Sequence, residues 1–154
     1  MTMTLTSAAF AQGGRIPVAH TCDGANLSPL FAWSGVPAGT RSLLLVCDDP
    51  DAPGGIFRHW AAFNIPPDWN GLDGGYGPET LEPGFRQAIN DFDKPGYGGP
   101  CPPEGDQPHH YHFRLSALSE EIVAAGPGAS CLEVQTLARP VVLDFVELVG
   151  VYGR

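Results

Sequence analysis

The sequence predicts a mostly β protein, an antiparallel β-sandwich with one or two short helices. Turn-forming residues are abundant, with 20 Gly and 16 Pro among 154 residues, and both types favour turns. Three Trp, four Tyr and eight Phe are spread along the chain, which argues against disorder because disordered segments are poor in aromatics. Short apolar runs alternate with turn clusters, as in all-β folds. At this length we expect a single domain spanning 1–154.

Six segments have strand character. The predicted strands are Leu5–Phe10, Leu30–Trp33, Ser42–Cys47, Phe57–Ile65, Tyr111–Leu118 and Glu147–Tyr152. The first is expected at a sheet edge. The third contains four consecutive aliphatic residues, 43–46, which is typical of a central strand covered on both faces.

Two segments have helical signals, and one long segment has none. We expect a helical turn at Ser119–Ile122 and a helix at Cys131–Ala138, where Ser130 and Glu133 fit a capping box. The segment Pro66–Pro108 is rich in Gly and Pro and is predicted to be an ordered loop that surrounds a site.

Net charge and the length of the apolar runs argue against several classes of protein. The net charge of −9 disfavours nucleic-acid binding, which needs a cationic face, and docking on an anionic membrane. No apolar run approaches the roughly 20 residues that span a bilayer, and no secretory signal is recognised at the N-terminus. We therefore expect a cytoplasmic protein with four reduced thiols, of which Cys47 and Cys131 are buried.

Proline braces three polar segments. These are Asp49-Pro50-Asp51-Ala52-Pro53, then Phe57-Arg58-His59-Trp60, and Gly98-Gly99-Pro100-Cys101-Pro102-Pro103 leading to His109-His110-Tyr111. Because proline fixes φ and removes N–H groups, such segments hold titratable side chains still. The pattern favours a pre-organised polar pocket.

Strand alternation separates the histidines. In the strand Tyr111–Leu118 the odd-numbered residues form the apolar face, so His109 extends that face at the rim of the core, while His110 and His112 face solvent. By the same count His59 shares a face with Phe57, Ala61, Phe63 and Ile65.

Two carboxylates are the predicted acceptors for the inward histidines. Asp49 and Asp51 follow a buried strand and flank a proline. Alone they fit a turn as well as a site, but two inward histidines favour the site. Adjacent carboxylates should raise the pKa of an imidazole, and His109→Ala is expected to leave stability almost unchanged.

These residues resemble the phosphatidylethanolamine-binding protein family, specifically its bacterial and archaeal Raf-kinase-inhibitor-like branch. The resemblance runs over nearly the whole chain, through Thr21-Cys22-Asp23-Gly24, the Asp49–Pro53 signature, His59-Trp60, Gly99–Pro103 and the closing Leu148–Arg154. His110 stands where the family usually has arginine, and the resemblance does not extend to the C-terminal extension of the eukaryotic members, so we expect the pocket more than kinase inhibition.

The resemblance implies a β-sandwich with a small anion-binding cavity at one edge. In the family that cavity is lined by the residues matching Asp49, Asp51, His59, His109 and Tyr111. It is closed by the loop matching Cys101 to Pro103. The implied ligand is a small anion or a phospholipid head group, bound without cofactor or metal, with a protein partner as a further prediction.

Two alternatives remain open. The same Asp/His cluster could serve a metal-dependent or acid–base hydrolase, although no catalytic motif accompanies it and Cys101 is the one candidate nucleophile. The second alternative is a purely structural role for the cluster.

Aromatic residues in the segment Pro66–Phe92 predict a homodimer whose interface uses this region and not the opening of the ligand cavity.

Overall fold

The protein folds as two antiparallel sheets and one short helix, which confirms the mostly β prediction. The computed structural model describes residues 2–77 and 84–154. Its elements within those ranges are β1 (Thr4–Thr6), β2 (Phe31–Ser34), β3 (Ser42–Asp49), β4 (Phe57–Ile65), β5 (Gly71–Leu72), β6 (Arg86–Gln87), β7 (His109–Leu118), α1 (Cys131–Ala138) and β8 (Val142–Tyr152), with 3-10 turns at Val18–His20 and Arg139–Val141. None of the helices in these ranges is long and apolar enough to cross a bilayer.

The two sheets enclose the main core. The small sheet has the order β1-β2-β5 and the large sheet the order β6-β4-β3-β7-β8. Alternate residues of both sheets point between them, for example Trp33 from the small sheet and Leu45 and Phe113 from the large one. Phe31 and Phe113 meet across the interface with ring centroids 5.1 Å apart. Burial of these large rings is the main source of sandwich stability.

A second core lies on the outer face of the large sheet. Leu44 and Val46 of β3 pack there with Cys131 and Val134 of α1. Strand β3 is therefore covered on both faces, as its aliphatic run predicts. The N-cap bond of the predicted capping box forms, since Ser130 Oγ accepts the Glu133 N–H at 3.0 Å.

Some element boundaries differ from the prediction. Strand β1 ends at Thr6 because the Ser7 hydroxyl turns back, donating to the Leu30 carbonyl at 2.6 Å. The helical turn predicted at Ser119–Ile122 does not form. Instead the Asn64 side chain binds both backbone groups of Ile122, at 2.8 and 3.0 Å, and holds that segment extended.

The predicted loop 66–108 contains the short strands β5 and β6. Positions 78–83 of that loop, and of the dimer interface predicted at 66–92, lie outside the described residues. The aromatic rings Trp33 and Phe85 are buried, and Trp69 and Tyr76 pack half-buried against the core. The homodimer itself stays a prediction.

Candidate functional site

The candidate site lies where three central strands of the large sheet meet at one end. Strand β3 pairs antiparallel with β4 on one side and β7 on the other. Its last residue, Asp49, therefore lies beside the first residues of both neighbours, and Asp49 pairs with Phe57 of β4. Side chains from three segments far apart in sequence converge there.

A cavity of about 200 Å³ opens at this end of the sheet. Six of the seven residues predicted for the site line it: Asp49, His59, Cys101, Pro103, His109 and Tyr111. Ala52, Pro53, Phe57, Phe92 and Pro102 complete the lining. Asp51 is the predicted site residue that does not line the cavity.

Asp51 joins the end of β3 to the start of β7. Its Oδ2 accepts the His110 backbone N–H and the His110 Nδ1–H, both at 2.8 Å, and its own N–H donates to Asp49 Oδ1 at 2.8 Å. The side-chain hydrogen bond from His110 lowers the pKa of Asp51, and the backbone bond adds to this effect. Asp51 positions Asp49 from outside the cavity.

His109 is bound by a carboxylate at each ring nitrogen. Nδ1 lies 2.7 Å from Asp49 Oδ2, and Nε2 lies 3.2 Å from Asp106 Oδ2. Ionised carboxylates only accept hydrogen bonds, so both nitrogens carry protons and the ring is an imidazolium. Burial by itself lowers the pKa of His109, but the hydrogen bonds and charges of Asp49 and Asp106 outweigh it and raise the pKa.

His59 has the opposite character. Its Nδ1 lies 2.7 Å from the Gly98 carbonyl oxygen, so Nδ1 carries the proton. Burial lowers the pKa of His59, and the hydrogen bond to Gly98 offsets this only in part. The ring is therefore neutral near pH 7, with its free lone pair on Nε2. The carboxylates raise the pKa of His109 above its usual value, whereas at His59 burial outweighs the charge of Asp49.

His59 lies inward and lines the cavity with Phe57, but the strand-alternation argument wrongly placed it on one face with Ala61 and Phe63. Ala61 and Phe63, which share its alternation, pack in the outer core under α1. Cys47 pairs with Trp60 but Asp48 pairs with Arg58, so His59 is the extra residue of a β-bulge. The bulge turns its ring to the cavity, where it meets Tyr111 edge-on at 5.3 Å.

Tyr111 supplies a buried hydroxyl without a partner. Its side chain is fully buried, and among the described residues no group hydrogen-bonds the hydroxyl. The ring is stacked beside His109, with centroids 6.4 Å apart. Burial, with the nearby Asp49 charge, raises the pKa of Tyr111, so the hydroxyl keeps its proton. An unpaired buried donor costs about 1–3 kcal/mol, which suits a group that a ligand completes.

The loop that walls the cavity is fastened to the N-terminal segment. A disulfide joins Cys22 and Cys101, so the prediction of four reduced thiols is wrong for this pair. The two cysteines are 79 residues apart in sequence, and no spacing motif links them. Cys47 and Cys131 are free and buried, as predicted.

Hydrogen bonds hold the same loop. The Gly99 N–H donates to Asn26 Oδ1 at 2.8 Å, and Arg154 Nε donates to the Pro102 carbonyl at 2.7 Å. Gly98 has no room for a side chain because a Cβ there would collide with the ring of Phe92. The wall is therefore a rigid part of the site.

Sequence reasoning missed Asp106, Phe57 and Phe92 as parts of the site. Asp106 lies three residues before His109, a spacing that gives no signal in a loop. Phe57 and Phe92 pack edge-on at 4.7 Å and flank His59 at the cavity rim. Among residues 2–77 and 84–154, no group of three or more His, Cys, Asp or Glu side chains is arranged to hold a metal ion.

Comparisons with known proteins agree with this architecture. A family model described as "Phosphatidylethanolamine-binding protein" matches residues 6–153. A "UPF0098 protein" of Methanothermobacter thermautotrophicus is 46% identical over 154 residues, covering 99% of each chain. The crystal structure of Escherichia coli YbcL, described as a new member of the mammalian PEBP family, superposes with a TM-score of 0.93 at 35% identity, covering 100% of this chain and 99% of that one. LppC of Mycobacterium tuberculosis, whose name contains the word lipoprotein, is 37% identical over 150 residues, 97% of this chain and 72% of LppC.

Proposed function

The chain belongs to the phosphatidylethanolamine-binding protein family, and we propose that it is a small binding protein whose cavity takes a phosphate-bearing head group or a similar small anion. The observation that carries this proposal is the buried, unpartnered hydroxyl of Tyr111 between two histidines of opposite protonation. A donor kept in that state is ready for an acceptor from outside the chain.

A monoprotonated phosphate complements the hydrogen-bonding groups of the cavity. Its charged oxygens can accept from the Tyr111 hydroxyl and from the His109 imidazolium. Its P–OH can donate to the lone pair on His59 Nε2. Asp49 does not touch the anion in this arrangement. It holds His109 charged through the 2.7 Å bond at Nδ1.

The size of the cavity favours a head group over a whole lipid. With about 30 Å³ for each water molecule in the liquid, a cavity of about 200 Å³ holds a phosphate with a short substituent. Phe92 at the rim is 39% exposed and presents an aromatic ring. An ammonium group, as in phosphoethanolamine, could lie against that ring by a cation–π contact.

Hydrolysis by the same cluster is not part of the proposal. The Cys101 sulfur is bonded to Cys22 and cannot act as a thiolate nucleophile. Both nitrogens of His109 already donate to carboxylates, so this ring has no lone pair to act as a general base.

The experiment is a calorimetric titration with inorganic phosphate and with phosphoethanolamine. We expect weak binding, roughly micromolar to millimolar, or about 4 to 8 kcal/mol. Tyr111→Phe should weaken it about tenfold or more, since a hydrogen bond to a charged group contributes about 1.5–3 kcal/mol. Tyr76→Phe, which changes a hydroxyl outside the cavity, is the matched control. Equal affinities for wild type and Tyr111→Phe would contradict the site.

Phosphate binding should also depend on pH. The two carboxylates raise the pKa of His109, so the imidazolium persists to a higher pH than in a free imidazole, and this donor is lost as pH rises through the raised pKa. Affinity should therefore increase as pH falls from about 8 towards 6, where a phosphate ester, with its second pKa of about 6, also gains the P–OH that His59 Nε2 can accept. An affinity that increases steadily with pH would show that other groups dominate.

The predicted cytoplasmic location and protein partner remain predictions. The Cys22–Cys101 disulfide favours an oxidising compartment, because the cytosol of most organisms keeps thiols reduced. Alkylating the protein in intact cells before lysis distinguishes the two locations. Modification of Cys22 and Cys101 would indicate reduced thiols and a cytosolic protein, and their protection would indicate an oxidised pair, because Cys47 and Cys131 are buried in either case.

A further inference from the structure

The second carboxylate on His109 differs from the first in every structural respect. Asp49 ends a central strand, its side chain is 4% exposed, and it lies 2.7 Å from Nδ1. Asp106 lies in the loop before β7, its side chain is 42% exposed, and it lies 3.2 Å from Nε2. Asp49 belongs to the framework of the site, whereas Asp106 reaches it from a solvent-exposed position.

Asp106 contacts the one nitrogen of His109 that an anion could use. The Nδ1 of His109 is used by Asp49, so Nε2 is the one ring nitrogen that can donate to a ligand. A carboxylate and a phosphate oxygen make the same charge-assisted contact with an imidazolium N–H. Both cannot accept the same N–H along its axis, so they compete for it.

The surroundings offer Asp106 a second position. A neighbouring cavity of about 300 Å³ is lined by Asp106 itself together with Arg15, Tyr152 and Arg154. Arg154 is paired with Asp23 at 3.0 Å. The Arg15 guanidinium lies over the Tyr152 ring at 4.9 Å, and no carboxylate among the described residues forms an ion pair with it. A carboxylate that leaves His109 would therefore turn towards cationic side chains.

Resting on the proposed function, we infer that Asp106 occupies the anion position of the empty site as an internal competitor, and that a bound phosphate group displaces it from His109 Nε2. The loop carboxylate thus sets the affinity of the cavity. Only ligands whose contacts exceed those of Asp106 bind, and the apparent affinity is lowered by the fraction of molecules in which Asp106 is bound.

The test compares four proteins in calorimetric titrations with inorganic phosphate at constant pH and ionic strength. They are wild type, Asp106→Asn, Asp106→Ala and the control Glu104→Gln. Glu104 lies in the same loop with its side chain 80% exposed, 3.9 Å from Arg154, so its change removes one negative charge without touching His109. We expect both Asp106 variants to bind phosphate about tenfold more tightly than wild type, the size of a partly exposed charge-assisted contact, and Glu104→Gln to bind like wild type.

A second measurement checks the contact itself. The pKa of His109, followed by NMR without phosphate, should be lower in Asp106→Ala than in wild type, because a supporting carboxylate has been removed. An unchanged pKa would show that Asp106 does not bind His109 in solution and would overturn the inference.

The remaining outcomes separate this inference from the proposed function. Equal or weaker phosphate binding by the Asp106 variants refutes the competition while the anion site stands. If Glu104→Gln gains as much phosphate affinity as the Asp106 variants, the effect is one of net charge and the competition is also refuted. If none of the four proteins binds phosphate at millimolar concentration, the proposed function fails and this inference fails with it.

Discussion

Replacing His109 with alanine should destabilise the protein as well as abolish anion binding. Asp49 and His109 are 3% and 4% exposed, and their side chains form a 2.7 Å ion pair. Removing one partner of a buried pair costs about 3–5 kcal/mol because the other charge stays buried. In the variant Asp49 still accepts the Asp51 N–H at 2.8 Å and borders a cavity that water can enter. We therefore expect the free energy of unfolding to fall by about 3 kcal/mol, the lower end of that range. This replaces the expectation, drawn from the sequence, of almost unchanged stability.

Urea unfolding at pH 7 measures this loss, with linear extrapolation of the free energy of unfolding. Adding Asp49→Asn to His109→Ala should restore part of the stability, because the unpaired charge is then removed. His112→Ala is the matched control on the outer face of the same strand. Its side chain is 33% exposed and lies 3.4 Å from Glu147, and such a pair contributes about 0–1 kcal/mol. A loss below about 1 kcal/mol in His109→Ala, or no recovery in the double variant, would refute the buried pair.

The sign of the pH dependence is fixed by the raised pKa of His109. A base whose pKa is raised on folding contributes stability that is fully present below its unfolded pKa of about 6.5. That contribution is lost as pH rises through the folded value. The difference between wild type and His109→Ala should therefore shrink in alkaline buffer.

Three further predictions concern other parts of the chain. Reducing the Cys22–Cys101 disulfide should lower the free energy of unfolding by about 4 kcal/mol, since it closes a loop of 79 residues, and urea unfolding with and without a phosphine reductant measures this. His59 should titrate below its usual value and remain neutral at pH 7 in an NMR titration, so its contribution to stability is lost as pH falls below about 6.5; a pKa above 6.5 would contradict the burial argument. The predicted homodimer should scatter light as a particle of twice 16.3 kDa with Trp69→Ala shifting it towards monomer, and 16.3 kDa at every dilution would show that the dimer prediction is wrong.

The sequence predicts best where one regular element decides the outcome. In β7, alternation alone places His109 on the buried face and His110 on the exposed face, and the structure agrees. The helix Cys131–Ala138 is predicted with both ends correct because Ser130 and Glu133 mark its start and Pro140 marks its end. These features depend on neighbours within a few residues.

Prediction fails where distant segments decide. The bulge that turns His59 into the cavity depends on the register between β3 and β4, which no residue within β4 specifies. The Cys22–Cys101 bond depends on the approach of two loops, and four widely spaced cysteines allow several pairings. The Asp106 contact depends on the path of a loop whose Gly105 has φ +86°, a conformation that glycine permits without prescribing.

The two histidines show why residue type alone could not assign roles in this site. Each is buried, and each has its Nδ1 fixed at 2.7 Å, yet one partner is the carbonyl of Gly98 and the other the carboxylate of Asp49. A carbonyl supplies only a dipole, so burial dominates and His59 stays neutral. The hydrogen-bonded carboxylates outweigh burial at His109, so its pKa is raised. The cavity therefore has one acceptor, His59 Nε2, one neutral donor, the Tyr111 hydroxyl, and one charged donor, the His109 Nε2–H. In our proposal Asp106 binds the charged donor until an anion displaces that carboxylate. That set fits a partly protonated phosphate better than it fits a fully ionised one, because a fully ionised phosphate has no P–OH and would leave the lone pair of His59 facing negative charge.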